Sequence, residues 1–316
     1  MRKTTLFTLD TPYREPLSIC AAEFGASDAP RSIAVVGSTR GNEIQQTFIC
    51  AQLIERLSAA EERGLLAQDA RILVIPSANP FSMNIGERFW PVDHTDINRM
   101  FPGYDAGETT QRIAAGLFEA VKDCDFGISL GSYYLPGDFL THVRVTHANA
   151  ISDESLQLAD AFGFPYVVSR MPSSFDTTTL NYNWQVWNAH AFTVLAKETD
   201  TINQRTATYV QNGILRFMNA MGFVQSRSMG GSLAVHIDES DLVDVRSENA
   251  GGFFLRNVES GERVVEGQTL AVVADGFDGH VRETLRAPVT GYVFFSHTAP
   301  LINQYTIAFK LVPEVA

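Results

Sequence analysis

Three cysteines are all the sulfur chemistry that 316 residues offer. Cys20, Cys50 and Cys124 are far apart and form no C-x-x-C pair, so neither a disulfide framework nor a thiolate metal clamp can be read here. They read as small buried hydrophobes in a reducing compartment, and a cytoplasmic location is the expectation. Long apolar runs are missing too: none approaches the roughly 20 residues that a membrane span requires. The N-terminus has Arg2 and Lys3, but Asp10, Pro12 and Arg14 interrupt the next stretch, leaving no apolar core for a signal peptide. Basic residues are scarce, with 24 Lys and Arg against 36 Asp and Glu and a net charge of −12. Sequence-independent nucleic-acid binding needs a basic surface to displace counterions, so that class is excluded.

What is present is a chain long enough for one large domain and a smaller one. Short, apolar, β-branched runs at 33–36, 72–75, 126–130, 143–146, 166–169 and 193–196 read as strands buried on both faces. Amphipathic stretches at 43–63, 109–122, 153–162 and 203–221 read as helices between them. Strand then helix, repeated, predicts an α/β domain over residues 1–223 with a mainly parallel or mixed sheet and helices on both faces. In such sheets ligands bind beyond the carboxyl ends of the strands. Residues 77–107 hold Pro80, Pro91 and Pro102 and no clear period, which marks a functional loop or a disordered one. Trp90, Phe89 and Phe101 argue for order. From residue 224 to 316 the helical period vanishes and short strands with glycine turns take over, predicting a second, all-β domain.

Polar motifs sit where the strands end. Arg40-Gly41-Asn42-Glu43 follows the run 33–37, and Asn79-Pro80 follows the run 72–75. Asp96-Ile97-Asn98-Arg99-Met100-Phe101-Pro102-Gly103 closes the long loop. Ser129-Leu130-Gly131 ends a strand some ten residues before His142-Val143-Arg144, and Glu198 follows the run 193–196. On residue types alone, Asp96 to Arg99 is a turn held by local Asp and Asn hydrogen bonds.

In this order the motifs resemble those of the succinylglutamate desuccinylase/aspartoacylase family, whose members carry H-G-N-E, N-P, D-L-N-R-x-F-P-G, D-L-H and H-V-R. The resemblance implies a zinc-carboxypeptidase-like fold and zinc-dependent hydrolysis of an amide bond, with zinc held by the two histidines and the H-G-N-E glutamate. It also implies that Asn98, Arg99 and Arg144 grip a substrate carboxylate and that Glu198 is the candidate general base. Two ligand positions depart from the pattern, because Arg40 and Gly131 stand where the histidines belong. A guanidinium has no free lone pair for a cation. Glu43 is then the remnant of a metal site, and no zinc is expected.

Removing a dication while keeping two carboxylates leaves like charges facing one another. Arg40 offers a fixed cation in its place, with Glu43 as the expected partner and Glu198 close enough to share the charge; the commoner fate of an arginine is a solvent-facing loop. His94 and His142 are the histidines from which an altered ligand set would be drawn, against a reading of His94 as a loop residue and His142 as a satisfied strand-end histidine. The aromatic and amide run 181–188 could line a pocket, but packing against the domain is the better use of its rings.

Two functions are consistent with these motifs. One is binding of a carboxylate-bearing acyl amino acid or peptide-like small molecule without zinc catalysis. The other is a zinc-dependent amidohydrolase using altered ligands. In the second domain, the G-x-x-V-x-x-G-Q-x-L and A-P-x-x-G-x-V elements are similar to the sandwich-hybrid barrel of biotinyl and lipoyl carriers. No lysine occurs between Gly251 and Phe309, so a swinging arm is excluded and a structural cap or interaction module remains. Homo-oligomerisation stays open.

Overall fold

The computed structural model describes residues 1–10, 15–225 and 230–314. The chain opens with an antiparallel pair, β1 (Arg2–Leu9) and β2 (Leu17–Phe24), followed by β3 (Arg31–Ser38), α1 (Ile44–Glu62) and β4 (Ala70–Ser77). Next come α2 (Pro80–Asn84), α3 (Thr109–Val121), β5 (Phe126–Gly131), the short β6 (Gly137–Phe139) and β7 (His142–Thr146). The chain continues through α4 (Ile151–Leu158), β8 (Tyr166–Arg170), α5 (Leu180–Val186), β9 (His190–Leu195), α6 (Gln204–Ala220) and β10 (Val235–Asp238).

Nine of these strands form one mixed sheet in the order β1-β2-β4-β3-β5-β9-β7-β8-β10. Alternation along β3 explains why its sequence is apolar throughout. Ile33 and Val35 pack with Ile49, Leu53 and Leu57 of α1 and Ile214 and Phe217 of α6, whereas Ala34 and Val36 meet Ile113 and Leu117 of α3 and Trp184 of α5. Both faces are thus covered, and each fully buried Leu or Ile contributes about 1.5–3 kcal/mol. The aromatic run 181–188 serves this core: Trp184 is buried and its indole donates to the Val121 carbonyl at 2.9 Å.

The remaining strands are β11 (Val243–Arg246), β12 (Gly252–Arg256), β13 (Arg263–Val264), β14 (Thr269–Ala274), β15 (Val281–Arg286), β16 (Gly291–His297), β17 (Leu301–Ile302) and β18 (Ile307–Pro313). They make two sheets, β11-β18-β16-β13 and β15-β14-β12-β17, enclosing a core that includes Val264, Leu270, Val293 and Phe309. This is the α/β fold with a C-terminal all-β barrel that the pattern predicts. The two parts are interleaved: β10 follows residue 223 and still extends the large sheet, while β6 pairs with β16. Phe139, Val168, Leu195, Ile237, Phe294 and Phe295 form one shared cluster. Among the described residues no helix is long and apolar enough to cross a membrane.

Candidate functional site

The turn between β3 and α1 is folded around one carboxylate. Glu43 Oε2 accepts from the Thr39 amide at 2.8 Å, the Arg40 amide at 2.9 Å and the Thr39 hydroxyl at 3.4 Å. The Gly41 amide donates to the Arg88 carbonyl at 2.9 Å, and glycine is required here because a Cβ would lie 2.1 Å from the Glu87 carbonyl oxygen. The 82–88 backbone therefore presses directly on this turn.

Arg40 points inward, its side chain 5% exposed. Its Nη1 donates to Glu43 Oε1 and to the Ser132 hydroxyl, both at 3.3 Å, and Ser132 donates onward to Glu43 Oε1 at 2.6 Å. The other side of the guanidinium grips Asp96 Oδ2 from Nη2 at 2.8 Å and from Nε at 3.1 Å. Burial opposes the charge of Arg40, but the Glu43 and Asp96 carboxylates outweigh it and raise its pKa above the ordinary value. The expectation that Glu198 shares this charge is corrected: the second carboxylate is Asp96. Glu198 accepts from the Asn203 side chain at 2.9 Å and is not among the residues lining the cavity that Arg40 borders.

Asp96 has two tasks. Its Oδ1 accepts from the Asn98 amide at 3.1 Å, capping the single turn Ile97–Arg99, while its Oδ2 meets Arg40. Ile97, Trp90 and Phe101 are buried, anchoring the long loop in the core.

These residues form one wall of a cavity of about 660 Å³. Its floor comes from adjacent strands: Ser129 and Gly131 from β5, Thr193 from β9, Arg144 and Thr146 from β7, and Arg170 from β8. Gly131 and Thr193 fit each other, since a Cβ at 131 would come within 2.7 Å of the Thr193 methyl. Asn98, Arg99 and Arg144 all line the cavity.

The arginines are balanced unequally. Arg170 pairs with Asp176, and with Glu239 at 3.3 Å. Arg99 donates to the Phe175 carbonyl. Arg144 has no ion pair among the described residues, and its buried Nε has no hydrogen-bond acceptor. Burial lowers its pKa and Arg170 acts in the same direction, while Glu239 and Asp176, both engaged by Arg170, offset part of that from a greater distance.

Neither alternative histidine joins this cluster. His94 lines the cavity at an exposed loop position with φ 55°. His142 is buried, its Nδ1 2.8 Å from the Leu140 carbonyl and its ring against Phe139 and Phe294. Among the described residues, the group of three His, Cys, Asp or Glu able to converge on a metal is Asp275, Asp278 and His280, away from the cavity on the β14–β15 hairpin.

Asp96, Ser132 and Arg170 were not assigned to the site from the sequence. The signal for Asp96 was present in its motif, where a local turn accounted for it equally well.

A large mixed sheet with helices on both faces, a polar cavity at its strand ends and a C-terminal β barrel make up the zinc-carboxypeptidase-like fold. Residues 29–221 match the succinylglutamate desuccinylase/aspartoacylase catalytic domain. This chain belongs to that family. A curated relative is the N-alpha-acetyl-L-2,4-diaminobutyric acid deacetylase of Halomonas elongata, 26% identical over 251 residues that cover 76% of this chain and 70% of the relative. Among solved structures, a succinylglutamate desuccinylase from Silicibacter sp. TM1040 superimposes with a TM-score of 0.81 at 18% identity, covering 98% of this chain and 92% of the other. The product-bound ectoine utilization protein of Ruegeria pomeroyi gives 0.80 at 17% identity, covering 98% and 94%. These two structural likenesses support the fold, and membership of the family suggests a deacylase-like function.

Proposed function

We propose that this chain holds a carboxylate-bearing acyl amino acid or peptide-like small molecule in the cavity, through Asn98, Arg99 and Arg144, without zinc catalysis. One contrast in charge balance carries the reading. Arg40 is neutralised by Glu43 and Asp96, whereas Arg144 faces the same cavity with no carboxylate partner among the described residues. A half-buried guanidinium with no ion pair of its own can accept a carboxylate, and its planar fork matches one.

The donor set at the turn does not fit zinc. Glu43 already accepts five hydrogen bonds, and the group beside it is a permanently charged guanidinium. Gly131 offers no side-chain donor, and His142 spends its Nδ1 on the Leu140 carbonyl. Asn98 and Arg99 sit on a turn capped by Asp96, so the Arg40 pair also orients the proposed grip.

Elemental analysis after zinc exposure tests this, combined with calorimetric titration of N-acetyl amino acids. The expected result is zinc far below one equivalent, with binding that Arg144→Ala weakens by about tenfold or more. Zinc near one equivalent together with chelator-sensitive hydrolysis would support the altered-ligand amidohydrolase instead, a reading to which the deacetylase relative lends weight.

A further inference from the structure

The mouth of the cavity has a chemistry that carboxylate binding does not use. Phe89, Tyr134 and Phe175 line it, with Tyr134 56% and Phe175 73% exposed. Large apolar side chains left in solvent need a reason when they cluster at a pocket. These rings are also held in place.

Arg88 supplies the first hold. Its guanidinium lies 5.0 Å from the centre of the Phe89 ring and 5.2 Å from that of Tyr134, so one cation contacts both rings. It also donates to the backbone carbonyls of Tyr133 and Tyr134. Burial lowers its pKa, Arg40 nearby lowers it further, and its buried Nε has no acceptor. Asp96 and Glu43 offset part of that cost for a guanidinium that touches both rings.

The loop bearing Phe175 is anchored separately. Asp176 accepts from the Ser173 amide and hydroxyl, both at 2.7 Å, and pairs with Arg170. Arg99 binds the Phe175 carbonyl, and the Phe101 amide donates to the Thr178 carbonyl at 3.0 Å. The exposure of Phe175 belongs to a tied-down segment. Arg99, one of the proposed carboxylate grips, is bonded directly to the residue that carries this ring.

From this juxtaposition we infer that the cavity selects acyl amino acids bearing an aromatic or similarly flat apolar group, which Phe89, Tyr134 and Phe175 contact at the mouth while the carboxylate meets the arginines. The inference rests on the proposed carboxylate binding and adds the second half of the ligand. Phe89, Tyr134 and Phe175 are specificity-determining residues, and Arg88 is a positioning residue that acts through two of them.

Calorimetric titration of the full chain with N-acetyl-L-phenylalanine, N-benzoyl-L-alanine and N-acetyl-L-alanine tests it. At least one aromatic ligand should bind about tenfold more tightly than N-acetyl-L-alanine, and Phe175→Ala and Tyr134→Ala should each weaken the aromatic ligand about two- to tenfold. The same variants should leave N-acetyl-L-alanine within about twofold, a split that a loss of folding could not produce. Arg88→Ala should behave like Tyr134→Ala, and Arg88→Lys, which keeps the charge without the planar fork, should recover part of the loss. Equal affinity for all three ligands, or rim variants that weaken all three alike, would overturn the aromatic preference; if Arg144→Ala still weakens binding by about tenfold or more, the carboxylate reading stands. Failure of every ligand to bind, or no effect of Arg144→Ala, would remove both.

Discussion

Arg40 and Arg144 face one cavity and live in opposite electrostatic conditions. Arg40 lies between Glu43 and Asp96 and hydrogen-bonds Ser132, while Arg144 rises from β7 with no ion pair among the described residues, Asp176 and Glu239 acting on it only from beyond contact distance. The difference separates two uses of one side chain. A guanidinium that closes a network of carboxylates holds chain segments together, and one with no ion pair is free to meet an anion from outside, as proposed for Arg144. Residue type alone cannot distinguish them; the local count of carboxylates does.

The largest effect should come from breaking the closed side. Arg40→Ala strands the Glu43 and Asp96 carboxylates in a water-poor wall and should cost about 3–5 kcal/mol of folding stability in a denaturant titration. Adding Glu43→Gln should recover part of that loss. A change below about 1 kcal/mol, or no recovery in the pair, would mean that the network is not structural.

The open side should respond the other way. Arg144→Ala removes a half-buried charge that makes no ion pair among the described residues, so stability should stay within about 1 kcal/mol or rise. Affinity for an N-acetyl amino acid should fall by about 1.5–3 kcal/mol, the usual worth of a hydrogen bond to a charged group. A variant that unfolds while binding anions normally would reverse the assignment.

His142 sharpens the comparison as a buried group that avoids charge altogether. Burial depresses its pKa from 6.5 to about 3. The unfolded chain therefore takes up this proton at a higher pH than the folded chain. Its contribution is fully present above pH 6.5 and is lost as pH falls toward 3, at up to about 1.4 kcal/mol per pH unit. Between pH 6.5 and 5.5, His142→Gln should lose about 1 kcal/mol less than the parent in parallel denaturation curves. Parallel pH profiles would show that His142 is not held neutral.

Much of the scaffold could be read locally. Each of the six apolar runs overlaps a strand of the large sheet, and α1, α3 and α6 begin and end within a residue of their amphipathic stretches, because each pattern is set by which neighbours lie on which face. The pairing of Arg40 with Glu43 is of this kind, three residues apart. Asp96 as the second partner is 56 residues away, and only the folded loop brings it there. Glu198 failed as that partner for the same reason: a carboxylate after a strand says nothing of where the following loop turns, and Asn203 holds it elsewhere. The β1–β2 hairpin was missed because an edge strand such as β1 is largely exposed and its apolar residues look scattered. Strand β10 was missed because four residues with exposed Val235 and His236 make no apolar run.

The close fit of Gly131 against Thr193 bears on the order in which sequence change is tolerated. A histidine introduced at 131 alone would place its Cβ 2.7 Å from the Thr193 methyl, and overpacking of this kind typically costs about 1–3 kcal/mol. A smaller residue at 193 would relieve that contact, and by itself it would leave space on the cavity floor until 131 was filled. Neither single step is neutral on its own, so the glycine is held at this position by its neighbour, and from this sequence an imidazole on β5 lies two mutually dependent substitutions away.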